Sequence, residues 1–161
     1  MLPRTYDDQN CSIARTLEVL GDRWTLLVIR DAFLGVHRFD DFQRDLGIAR
    51  NVLSDRLQTL VDHGILERRQ YAERPPRWEY RLTEKGLDLY PVIVGLLRWG
   101  DKWASDDAPV VLTHKTCGHD VTPVLTCPDC GEPVSARDMT FRDVVVQRRP
   151  RKSADRAAAV S

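Results

Sequence analysis

Two groups of residues combine side-chain type and spacing in ways that amount to chemistry. Asn51, Ser54, Asp55 and Gln58 fall at i, i+3, i+4 and i+7, a spacing that lines them along one face of a helix. Such a face is rich in hydrogen-bonding groups, and these read base edges in the major groove of DNA, which is wide enough to admit a helix. Arg50 stands at the head of the same run, and Arg74 and Arg77 bracket a Pro-Pro pair downstream. Arginines so placed meet phosphate or a minor groove. The second group is His114 with Cys117 and Cys127 with Cys130; in each pair two residues separate the potential ligands and a glycine follows. That spacing lets a tight turn present both donors to one metal ion.

The first group needs a scaffold, and the sequence supplies one. Leu53, Leu57, Leu60 and Val61 lie at i, i+4, i+7 and i+8 on the face opposite Asn51–Gln58, so one side of the helix is apolar. Gly64 suits its end. Upstream, Phe39, Phe42 and Leu46 at i, i+3 and i+7 predict a short helix ending near Gly47; helix, glycine turn and second helix make a helix-turn-helix. Earlier still, Asp22 predicts a cap for a helix from Arg23 to about Leu34, with Gly35 as its stop. Residues 65–71 and 78–82 have strand character, joined by Glu73-Arg74-Pro75-Pro76-Arg77. Two prolines predict that pairing stops before the tip, leaving Arg74 and Arg77 on a free turn.

Read together, these stretches resemble the HxlR family of bacterial winged helix-turn-helix regulators. The matching residues are Cys11, Leu20-Gly21-Asp22-Arg23-Trp24-Thr25-Leu26-Leu27, Arg38-Phe39-Asp40-Asp41-Phe42, Leu53-Ser54-Asp55-Arg56-Leu57, Gly64-Ile65-Leu66, Pro75-Pro76-Arg77-Trp78-Glu79-Tyr80, Leu82-Thr83-Glu84-Lys85-Gly86 and Trp99. They cover roughly residues 11–105 in the family's order. The resemblance implies a homodimeric, sequence-specific regulator, a repressor in the expected case, that binds double-stranded DNA near promoters. A two-fold dimer implies an inverted-repeat operator. It also singles out Cys11 as a candidate redox sensor, since some members sense oxidants or electrophiles through a cysteine at this place; a small buried thiol is the alternative.

Thr83 predicts the cap of a further helix to about Ser105. Leu87, Tyr90, Val94 and Leu97 form one stripe, and Leu89, Val92, Leu96, Trp99 and Trp103 another. That arc is wider than one small core needs, so the surplus is expected to bury against a second subunit, together with Ile13, Leu17 and Leu20. Pro91 predicts a kink or a break.

Three thiols and one imidazole make a closed, four-coordinate set suited to structural zinc, and the segment resembles a zinc ribbon. His119 competes with His114 for the fourth place; HxxCG mirrors CPxCG, which favours His114. A redox pair at Cys127 and Cys130 is the alternative, although no βαβ pattern surrounds it. A segment this small has little core, so the metal would largely hold it together.

The expected fold class is therefore α+β, mainly α: a winged helix-turn-helix with a long C-terminal dimerisation helix and a small zinc-ribbon-like β segment. Residues 1–107 form the DNA-binding and dimerisation domain, 108–146 the ribbon-like segment, with a strand about Thr140–Val146, and 147–161 a disordered basic tail. The chain has 161 residues, 24 basic and 24 acidic. A DNA binder usually carries a basic footprint, so the balance requires local clustering; Gly64–Leu82 holds five Arg against three Glu. No apolar run is long enough to span a bilayer, which predicts a cytoplasmic, nucleoid-associated protein with no membrane partner and a small-molecule or redox effector. No phosphate loop or nucleophile elbow points to an enzyme. The other function considered is a winged-helix adaptor that contacts protein instead of DNA.

Overall fold

The computed structural model describes residues 11–107 and 109–140. Among them are six helices and one two-stranded sheet: α1 (Ser12–Leu20), α2 (Thr25–Phe33), α3 (Phe39–Leu46), α4 (Arg50–Asp62), β1 (Leu66–Glu73), β2 (Pro76–Leu82), α5 (Glu84–Leu87) and α6 (Tyr90–Trp103). They fall into two compact units divided between Val121 and Thr122. That division lies within the 108–146 segment, between its two candidate ligand pairs. The expected strand about Thr140–Val146 and the tail 147–161 lie outside the described residues, save Thr140.

The core of the first unit is built where α2, α3, α4 and the hairpin meet. Val28, Ile29, Phe42, Leu53, Leu57, Leu60 and Leu66 are fully buried, each contributing about 1.5–3 kcal/mol of transfer free energy. The three leucines of α4 are the ones its periodicity places inward; Val61 packs at the margin. Leu20, at the end of α1, joins this core of its own chain, so it is not left over for a second subunit. Between α3 and α4, Gly47 takes φ 60°, a left-handed conformation that costs other residues a Cβ clash. Ile48, the next residue, is buried in the core and pins the angle between the two helices.

Three expectations change in detail. Asp22 Oδ1 accepts the Trp24 backbone N–H at 2.9 Å, so residues 22–24 form a turn and α2 begins at Thr25, not Arg23. The hairpin pairs further than its prolines predict: the ladder runs from Leu66↔Leu82 to Glu73↔Pro76. Proline is tolerated there because it opens a strand, where its missing N–H breaks no central ladder. Only Arg74 and Pro75 form the tip, and Arg77 is a strand residue opposite Ala72. Lastly, the span expected as one helix from Thr83 to about Ser105 is two helices, with the break that Pro91 predicts close to it. Thr83 Oγ1 accepts the Gly86 N–H at 3.1 Å and caps α5, while Pro91 sits in the first turn of α6, where its missing N–H is harmless.

The hairpin is tied to the core at both ends. The Tyr80 N–H donates to the His37 carbonyl at 2.8 Å, and Arg38 bridges Glu79, so the segment before α3 acts as a one-residue third strand. At the other end the Thr83 hydroxyl donates to the Gly64 carbonyl at 2.7 Å, and Lys85 Nζ to the His63 carbonyl at 2.7 Å. Gly86 is buried so tightly that a methyl group in its place would collide with the Ile65 carbonyl oxygen.

Candidate nucleic-acid interface and ligand knuckles

Helix α4 exposes Arg50, Asn51, Ser54, Asp55 and Gln58, so the polar ridge expected from spacing is a surface ridge. Ser54 and Asp55 are exposed one turn into the helix; the Gln58 amide donates to Asp62 at 2.7 Å. Arg50 stacks over the Phe39 ring at 4.6 Å and lies 3.6 Å from Asp40. Arg74, at the hairpin tip, is exposed.

Beside the ridge lies an open cleft of about 540 Å³ between the starts of α3 and α4 and the hairpin. Four arginines line it: Arg38, Arg50, Arg68 and Arg77. Two of these, Arg38 and Arg68, were not among the DNA-contact residues expected from the sequence. Arg68 stacks over Trp78 at 4.3 Å; the two are diagonal neighbours on one face of the ladder, within reach of long side chains. Arg38 stacks over Tyr71 at 4.8 Å. Tyr71 is the unpaired residue of a bulge between Gln70 and Ala72, and a bulge re-aims a side chain. The signal that was available is the excess of arginine and aromatic residues across 68–81; what was missing is the bulge, which brings Tyr71 to the Arg38 side. On the far side of the hairpin, Glu79 is hydrogen-bonded by Arg81 at 2.9 Å, which holds its carboxyl below the usual range.

The two candidate ligand pairs have one local structure. In the first unit His114 N–H donates to the His119 carbonyl, Gly118 N–H to the His114 carbonyl and Val121 N–H to the Leu112 carbonyl, at 2.9, 2.8 and 2.7 Å. In the second, Cys127 N–H donates to Glu132, Gly131 N–H to Cys127 and Val134 N–H to Leu125, at 2.8, 2.8 and 2.9 Å. Gly118 and Gly131 have φ 71° and 76°, and single bridges close the knuckles at Thr113↔Asp120 and Thr126↔Pro133. The sequences agree position by position: Leu-Thr-His-x-x-Cys-Gly-x-x-Val and Leu-Thr-Cys-x-x-Cys-Gly-x-x-Val. His114 thus occupies the place of Cys127, and His119 the place of Glu132. His114 Nδ1 is 3.3 Å from Cys117 Sγ. Backbone N–H groups of Cys130 and Asp129 hold the Cys127 thiol below its ordinary value. Among the described residues no group of three or more potential ligands stands together; each knuckle presents two donors within its own unit.

Cys11 is a half-buried free thiol at the N-cap of α1. Ile13 and Leu17 on α1, and Leu96, Trp99 and Trp103 on α6, are large apolar side chains left exposed. No helix among the described residues is long and apolar enough to cross a membrane.

An exposed polar recognition helix behind a glycine turn, with an arginine-bearing hairpin beside it, defines a winged helix-turn-helix DNA-binding protein. The chain belongs to the HxlR-like helix-turn-helix family, whose model matches residues 19–108, and it is a transcriptional regulator. It is 48% identical over 131 residues to the uncharacterized HTH-type transcriptional regulator Rv3095 of Mycobacterium tuberculosis, covering 80% of this chain and 83% of that protein. Among solved structures it is similar to PA1607, described as a candidate transcription factor, at TM-score 0.72 and 40% identity over 83% of this chain and 94% of that one. It is also similar to the reduced form of the redox regulator HypR, at TM-score 0.54 and 32% identity over 57% and 92%.

Proposed function

We propose that this regulator acts in the cytoplasm as a homodimer that represses transcription by occupying an inverted-repeat operator. The observation that supports this best is the outward ridge Asn51–Gln58 on a helix whose other face is locked into the core. The apolar side chains left open on α1 and α6 support a second copy as partner, because a soluble monomer seldom exposes so many large apolar groups together. Occupancy of a promoter-proximal site blocks polymerase, which makes repression the simplest output. Selection of duplexes from a random pool tests this. Inverted repeats with half-sites about one helical turn apart are expected; recovery of single half-sites, or of no sequence preference, would refute it.

The zinc reading belongs to the same proposal: His114, Cys117, Cys127 and Cys130 as one structural set. Two matching knuckles, each with a donor pair and a left-handed glycine, support it, as does donor chemistry typical of structural zinc. When bound, zinc would supply a cross-link between chain segments that have little core of their own. Cys11 is the proposed redox sensor, on the strength of its place at the head of α1 and of the likeness to HypR. An unchanged oxidant response of DNA binding in Cys11→Ser would end that part of the reading.

A further inference from the structure

We propose that the arginine-lined cleft beside α4 seats the DNA backbone strand that runs between the major groove and the hairpin, with Arg38 and Arg68 as phosphate ligands. Phe39, Tyr71 and Trp78 serve as positioning residues that hold the guanidiniums ready. The proposal rests on the DNA-binding reading and adds to it residues that belong neither to the α4 ridge nor to the hairpin tip.

Charge comes first. Four guanidiniums line the cleft against two carboxylates, Asp40 and Asp41. Asp41 is engaged by Arg44 at 2.8 Å and Asp40 faces Arg50 at 3.6 Å. Among the described residues Arg38, Arg68 and Arg77 form no ion pair. The cleft is thus a local basic site on a chain whose net charge is zero, the clustering that a DNA binder of balanced composition requires.

Geometry comes second. Three of the four arginines lie over aromatic rings at 4.3–4.8 Å. A stacked guanidinium is held by its face while its N–H edge stays available, and that edge matches two phosphate oxygens at once. Ordering a long side chain before binding removes an entropy cost that would otherwise fall on the complex. The position also fits. Arg50, at the head of the ridge, lines the cleft from the α4 side and the hairpin residues line it from the other; a backbone strand bordering a major groove that holds the ridge would pass next to Arg50 and so across the cleft mouth.

The test uses the full chain and a random-sequence duplex, followed by fluorescence anisotropy between about 50 and 200 mM salt. Arg38→Ala and Arg68→Ala are each expected to weaken binding about tenfold on any sequence. Each should also reduce the slope of log affinity against log salt by about 0.9, the change that follows when one phosphate is no longer neutralised. Trp78→Leu keeps every charge. It is expected to weaken binding in the native background and to have no further effect on top of Arg68→Ala, an outcome that removal of a merely structural ring would not give. Wild-type binding with unchanged slopes in both arginine variants overturns the cleft assignment while leaving the α4 reading intact. Equal losses from Trp78→Leu in both backgrounds overturn the positioning role. A wild-type chain that binds no duplex overturns the DNA-binding reading and the cleft with it. Thermal melting of each variant confirms that the fold persists.

Discussion

Replacing Trp99 with alanine should convert the proposed dimer to monomers without unfolding the protomer. Trp99 is 63% exposed in the single chain. An aromatic side chain of this size buries about 150–250 Å² when covered, so about 100–150 Å² per ring remains for a partner to cover. Two rings in a symmetric dimer at about 25 cal/mol per Å² correspond to about 5–7 kcal/mol as an upper bound. Half coverage leaves about 2.5–3.5 kcal/mol, a weakening of the dimer constant by about a hundredfold. Sedimentation equilibrium on both proteins reads this directly. Far-UV circular dichroism should show unchanged helix content, because the ring is only slightly covered by its own core. A native chain that sediments as a monomer at tens of micromolar, or a variant whose dimer constant moves by less than about threefold, would refute the assignment of α6 as an interface. Loss of dimer should carry with it loss of preference for inverted repeats, since one protomer contacts one half-site.

Asn51→Ala and Gln58→Ala should each relax sequence preference by about 1–3 kcal/mol at the contacted base pair, whereas Arg74→Ala should weaken binding to all duplexes alike; competition between selected and random DNA separates the two. Gly86→Ala should destabilise the protein by more than the few tenths of a kcal/mol typical of a surface change, read as a lowered Tm, because the new methyl meets the fixed Ile65 carbonyl oxygen, which cannot move aside as the neighbouring Leu82 side chain can. Purified protein should contain one zinc per chain by elemental analysis; His114→Ala should lose it and His119→Ala retain it, given that His119 aligns with Glu132 in the knuckle repeat. Chelation should abolish structure in the knuckles while the winged helix melts as before, and equal zinc in both histidine variants would refute the ligand set.

The recognition helix was legible because its determinants are local. Leu53, Leu57 and Leu60 recur at helical spacing and must share a face, so Asn51, Ser54, Asp55 and Gln58 must share the other. Gly47 marks the turn because few residues tolerate its conformation. Pro91 announced a break for the same kind of reason. The knuckles were visible in the repeated spacing of HxxCG and CPxCG, and the same three backbone hydrogen bonds recur in both. Boundaries were less legible where two local solutions compete: Asp22 caps a turn before α2, and Pro76 opens a strand instead of ending one. The cleft was not legible at all. Arg38 and Tyr71 lie far apart in the chain and meet because residue 38 joins the edge of β2 and a bulge turns residue 71 toward it. Periodicity along one segment specifies which face that segment buries; which charges converge from three segments depends on strand register and packing, and these exist only once the chain has folded.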